Sequence, residues 1–333
     1  MKTPVSLLLA AAAAIVAGCR SGDIKVSSMG KPYEMFVIAP TELWKGAVGD
    51  SIRAYLADEV EMINQPEPRF TLYSMTPAAY QATPNNNRHR NILILKTGGQ
   101  YAHSDMTARY DPYAEPQLEV TITAPSTDSM AAFLHRYGAD LVHLFEITER
   151  DRLTVRADKF KDPKIHALIR DKFGFEMSIP QGYRVRLDTT NFLWISYELP
   201  LASVGFTIYT YPADPVEARN ETAGRIIAAR NAAVMQVPGP SAGSYMTTGT
   251  AFLPDQKMLT VHGRRWMQVR GFWDVMGDFM GGPFINYTTC DTARNRMVAI
   301  DGYVYSPSPN NKVPMRNYVR QIEAIFMTVR LPE

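Results

Sequence analysis

Cysteine is all but missing from this chain, which has two in 333 residues, Cys19 and Cys290. With Cys19 modified there can be no intrachain disulfide, and Cys290 is left as a lone thiol, of the kind that usually packs as a small apolar residue. The nucleophile reading for Cys290 would need His262 beside it. Close-spaced histidines are missing too. The six (His89, His103, His135, His143, His166, His262) hold no pair like that of H-E-x-x-H. His135 and His143 fall eight residues apart on one predicted helix, about 12 Å from each other. No metal and no other cofactor is expected. There is no Walker loop and no Gly-x-Gly-x-x-Gly opening a helix after a strand, and Ser241-Ala242-Gly243-Ser244 is too loose for a nucleophile elbow. Charge of one sign is absent: the formal net charge is +2, and +1 without Lys2, so no nucleic acid is expected as partner. No segment approaches the ~18 uninterrupted apolar residues of a transmembrane helix.

What the sequence does have begins at its N-terminus. Lys2 followed by the apolar run Val5 to Ala17 has the form of a signal peptide. The run ends in Val16-Ala17-Gly18-Cys19, which resembles the lipobox of bacterial lipoproteins. That resemblance implies cleavage before Cys19 and a diacylglyceryl group on its thiol. Several acyl chains, at about 0.8 kcal/mol per buried methylene, make the membrane a stable partner. Residues 1–18 are then the signal peptide and 19–33 a polar, Gly- and Ser-bearing lipidated tether. No Asp follows Cys19 directly, which by the enterobacterial sorting rule implies the outer membrane. Asp23 is the only acidic residue close behind the cysteine, so the periplasmic side is expected.

About 315 residues remain, more than one core usually serves, and two domains are expected, 34–158 and 159–333. In the first, Met35 to Ala39 reads as a strand. Trp44, Val48, Ile52, Tyr55, Leu56, Val60 and Ile63 form one stripe of a long helix that Pro66 and Pro68 stop. Strands follow at Phe70 to Met75, Asn91 to Lys96 and Gln117 to Thr123. Ser126 opens a second long helix carrying Met130, Phe133, Leu134, Tyr137, Leu141, Leu144 and Phe145. Residues 98–116 take no assignment. The charged stretch Glu149 to Lys164 separates the halves, with a short helix capped by Asp162, entered through Pro163 and ended by Gly174.

The second half is richer in strands: Tyr183 to Leu187, Phe192 to Leu199, Val204 to Tyr211, Arg265 to Trp273, Phe284 to Cys290 and Met297 to Tyr305. A helix is expected from Asp214-Pro215-Val216-Glu217, and a last one along Met315, Tyr318, Val319, Ile322, Ile325 and Phe326. The fold class is therefore α+β: two α/β domains, the second an antiparallel sheet with packed helices. Phe173 to Tyr183 resembles the start of PsbP-like α/β sandwich domains, which implies the same architecture.

One stretch stands out, Arg270 to Phe284, where an aromatic strand runs into a glycine-dense loop. Glycines let a partner approach the backbone, and aromatic rings give it flat apolar area. Arg270, Trp273, Gly281, Gly282 and Pro283 are the candidate binding residues, with Trp273 expected to emerge at the end of its strand. The remaining catalytic candidates are Asp274 and Asp278, since glycosidase-type chemistry needs two carboxyls about 5 to 9 Å apart. Asp128-Ser129-Met130, Asp188-Thr189-Thr190 and Asp291-Thr292-Ala293 resemble the Asp-Ser/Thr-apolar glycosylation sites of exported Bacteroidetes proteins.

Beyond its N-terminus the chain resembles an uncharacterised Bacteroidetes lipoprotein family, that of domain of unknown function 4837. Lys31 to Pro40 with Trp44, Gln65 to Phe70, His89 to Leu93 and Met280 to Phe284 carry the resemblance. It implies lineage and location but transfers no catalytic residue. A non-catalytic envelope lipoprotein that binds a protein, glycan or lipid is the expectation, against a periplasmic hydrolase of envelope polymers using a carboxylate pair.

Overall fold

A computed structural model describes residues 25–213, 222–306 and 313–332. Cys19 and the expected helix start at Asp214 lie outside them. In β1 (Glu34–Ile38) the period of two sends Met35 and Val37 into one core and Phe36 to the other face. β2 (Thr71–Met75), β3 (Asn91–Thr97), β4 (Asp105–Tyr110) and β5 (Leu118–Ala124) complete a sheet of order β2-β1-β3-β5-β4, parallel except for β4. β4 falls in the stretch left unassigned. It is an edge strand exposed along most of its length, so it shows no apolar alternation.

The first long helix is shorter than its apolar stripe implies. α1 (Thr41–Lys45) and α2 (Ala47–Leu56) break at Gly46, and the chain leaves the helix at Ala57, well before Pro66. Residues 58–68 instead fold back on themselves, with Met62 at φ 55° and Glu59 bridging Pro68. Val60 stays buried in this turn, which is why its spacing looked helical. α3 (Pro77–Ala82) was not foreseen, although Thr76 caps it and Pro77 starts it.

α4 (Thr127–Lys159) begins at the Ser126 cap as expected but runs for 33 residues, about 50 Å. It runs into the charged stretch from Glu149 as far as Lys159. The charges there are partly internal: Glu149 is fully buried, held by Arg90, Arg152 and Asn91 at 2.7–2.8 Å. α5 (Pro163–Phe173) has the expected cap, with Asp162 accepting from Lys164 and Ile165, and Gly174 at φ 70° ends it.

The second sheet joins β6 (Arg184–Thr189), β7 (Phe192–Leu199), β8 (Ala202–Pro212), β9 (Tyr245–Thr248), β10 (Asp255–Val261), β11 (Arg264–Met276), β12 (Gly281–Asp291) and β13 (Arg296–Tyr305). It is antiparallel throughout, in order β10-β11-β12-β13-β8-β7-β6, with β9 pairing the far end of β11. α5 and α7 (Met315–Phe326) share one core with this sheet, while α6 (Ala223–Val234) covers a second core containing Trp273 and Tyr303. The fold is α+β, with helices packed on both sheets.

α7 also meets the first half of the chain. Arg320 reaches Glu146 on α4 at 2.7 Å, Arg316 donates to the Pro68 carbonyl at 2.6 Å, and Glu67 accepts from the Met315 backbone at 2.7 Å. Within the junction Glu323 pairs with both Arg320 and Arg270. Burial alone would raise the pKa of Glu323, but the two guanidiniums outweigh it and hold the carboxyl at about 2.

A folded pKa below the unfolded value of 4.5 adds stability that is whole above that pH and lost as the pH falls towards 2. The shift corresponds to on the order of 3 kcal/mol. Glu323→Gln should therefore sit well below the wild type in urea unfolding at neutral pH, and the gap should close as the pH is lowered through that window. Acid limbs that stay parallel would show that the carboxylate contributes nothing.

Candidate functional site

β11 is covered on both faces, and that decides the fate of the sequence candidates. Trp266, Gln268 and Arg270 face the core under α7, where Trp266 packs edge-on against Phe326 at 4.9 Å and Arg270 is tied to Glu323. Val269, Trp273 and Val275 face the core under α6. Trp273 does not emerge, because β11 continues three residues beyond it. It is 2% exposed, its Nε1 donates to the Val304 carbonyl at 3.0 Å, and Tyr303 and Tyr305 stand against its ring.

The glycines answer to the same packing. A Cβ on Gly282 would lie 2.2 Å from the Val304 carbonyl oxygen, and one on Gly281 would lie 2.7 Å from the Trp273 carbonyl oxygen. The space they leave is filled by neighbouring strands rather than kept for a partner. Pro283 is buried in β12.

The two candidate carboxylates are each engaged locally. Asp274 accepts from the next backbone N–H, that of Val275, at 2.8 Å. Asp278 takes the Ser241 hydroxyl and the Phe279 N–H, and the Ser241 bond chiefly holds its pKa below the usual carboxylate range. A general acid needs the opposite shift. Taken from Gly239, the segment Gly239-Pro240-Ser241-Ala242-Gly243 does spell Gly-x-Ser-x-Gly. It forms the loop between Pro238 and β9, closed by Gly239 and Ser244 backbone bonds, and not a strand-to-helix elbow. The Ser241 hydroxyl donates to the Asp278 carboxylate, whose lowered pKa makes it a weak base.

His262 bonds the Met327 carbonyl and Arg330 and so is engaged away from Cys290. His89 stacks on Phe36 at 3.9 Å, and its pKa is lowered by burial. Among the described residues no three His, Cys, Asp or Glu side chains group to hold a metal. Of the possible acceptor sites, Ser129 belongs to the Ser126 cap of α4, and Asp291 is buried against Arg294 and Arg296.

The aromatic loop nonetheless forms one wall of a groove of about 810 Å³. Gly281, Gly282, Asp274 and an edge of Trp273 line it; Arg270 and Pro283 do not, nor does Asp278. Phe272 and Phe252 add rings 5.2 Å apart, and Phe279 stands wholly exposed at the tip of the β11–β12 turn. The opposite wall is the turn from Glu59 to Pro66, including Met62 and Ile63. Sequence reasoning missed this wall by folding it into a helix. It missed Phe252 and the 89%-exposed Leu253 because a loop gives exposed apolar residues no period. Their only signal was two large apolar residues together in a loop before Pro254. A monomeric protein seldom leaves such a contiguous patch uncovered.

Two family models match the chain. One, a domain of unknown function (DUF4837), covers residues 162–328, and another, a domain of unknown function (DUF8532), covers residues 28–158. The N-terminal segments that carried the resemblance to the first family therefore fall within the second match. No curated protein matches in sequence. Among solved structures, the Ran-binding protein Mog1p of Saccharomyces cerevisiae is similar at 11% identity over 47% of this chain and 89% of that one, with a TM-score of 0.29. The human StarD13 (DLC2) lipid transfer and protein localization domain is similar at 13% identity over 50% of this chain and 95% of that one, with a TM-score of 0.22. Neither likeness is close enough to bear on what this chain does.

Proposed function

The chain belongs to the DUF4837 family, and we propose that this member is an exported, lipid-anchored envelope protein that binds a partner through the aromatic groove and does no chemistry there. One observation carries the binding half: Phe279 is wholly exposed and lines the same groove as Phe252, itself 61% exposed. Carboxylates tied up within their own turns support a non-catalytic site. The anchoring half rests on Val16-Ala17-Gly18-Cys19 after the short apolar run. Attachment to the outer membrane on its periplasmic side is part of the same reading, as is a division into two domains near residue 158.

Cys19→Ser is expected to move the protein from the carbonate-washed membrane fraction to the soluble one, with the mass of the acyl groups gone. A mutant still held by the membrane would place the anchor elsewhere. For the groove, Phe279→Ser is expected to leave thermal unfolding unchanged and to weaken capture of envelope components by the tagged protein about tenfold or more. Unchanged capture would remove the groove from the reading.

A further inference from the structure

We propose that the occupant of the groove is a segment of a partner protein in which Lys or Arg side chains alternate with apolar ones. This rests on the reading of the groove as a binding surface and adds the chemistry of what it binds. The lining holds Glu59 and Asp274 and has no Lys, Arg or His. Glu61 and Asp278 lie within two of the segments that form the walls, and Asp255 follows the third by three residues. Among the described residues none of these five carboxylates is in a salt bridge. Carboxylates of the junction and the cores, by contrast, are met by arginines: Glu146, Glu149, Asp291, Asp301 and Glu323. In a chain whose formal charge is +2, an aromatic groove whose lining carries carboxylates and no basic side chain has a field that favours cations.

The rings reinforce that field. Phe252, Phe272 and Phe279 present faces that attract ammonium and guanidinium groups as well as apolar side chains. An anionic membrane would be repelled by the same carboxylates. A glycan is less suited, because the indole N–H that would serve it is already given to Val304.

The test is a selection from a library of random peptides displayed on phage, run on the full-length soluble Cys19→Ser protein and on its Phe279→Ser and Glu59→Gln/Asp274→Asn variants. Enriched sequences are expected to carry Lys or Arg among apolar residues. Synthetic copies of them should bind about tenfold more weakly to either variant and lose affinity as salt rises. All the substituted side chains are exposed, so melting curves should match the parent protein. Enrichment of neutral or acidic sequences that still depend on Phe279 would overturn the cationic assignment and leave the groove standing. Enrichment indifferent to Phe279, or no enrichment together with no vesicle binding, would overturn both. Binding of phosphatidylcholine vesicles that Phe279→Ser abolishes, without any peptide enrichment, would assign the groove to lipid instead.

Discussion

Asp301→Ala should lower the unfolding free energy by about 3–5 kcal/mol, the penalty for stranding a buried charge. Asp301 and Arg230 are both fully buried and pair at 2.8 Å through the guanidinium Nε. Arg230 makes a second bond to the carboxylate at 3.2 Å, bonds Thr248 at 2.9 Å, and stacks on Phe284 at 3.9 Å. Asn286 donates to the same carboxylate at 3.1 Å. Removing the acid leaves a guanidinium without its counter-charge between α6 and the sheet. The paired variant Arg230→Met with Asp301→Leu should recover part of the loss, since apolar replacements for a whole buried pair are often neutral. Urea unfolding of the three proteins checks this. A loss under about 1 kcal/mol for Asp301→Ala would mean the pair behaves as a solvated one.

Trp273→Ala is expected to cost about 3–5 kcal/mol as well, by opening a large cavity under α6. The Val304 carbonyl also loses its indole donor. Because only an edge of Trp273 reaches the groove, the stability of this variant should fall far more than its binding does when measured on the folded fraction. Phe279→Ser should show the reverse. A Trp273→Ala protein with unchanged melting and lost binding would return Trp273 to the surface role that its aromatic surroundings suggested.

What the sequence made legible was local and periodic. Asp162, Pro163 and Gly174 bound α5 because caps are chemistry between near neighbours. The stripe from Met315 to Phe326 marks α7 because one face of it is buried. Alternation marked β5, and aromatic and β-branched runs marked β7 and β8; neither signal marks β4, whose residues are mostly exposed.

The site was half legible. Glycines and aromatics drew notice to residues 270–284, but glycine serves close strand contact as readily as ligand access, and at Gly281 and Gly282 it serves the former. The second wall was hidden because Val60 and Ile63 keep helical spacing while the backbone turns at Met62. Arg230 and Asp301 are 71 residues apart, and no pattern in either segment foretells that they meet.

The central claim, that the groove holds a partner in the envelope, is tested most directly by a photo-crosslinking amino acid placed at position 279 in cells producing the full-length protein. The account predicts a discrete adduct that disappears when Phe252→Ser is added and persists when the crosslinker-bearing protein also carries Asp278→Asn. No adduct at position 279, or one indifferent to Phe252, would contradict it.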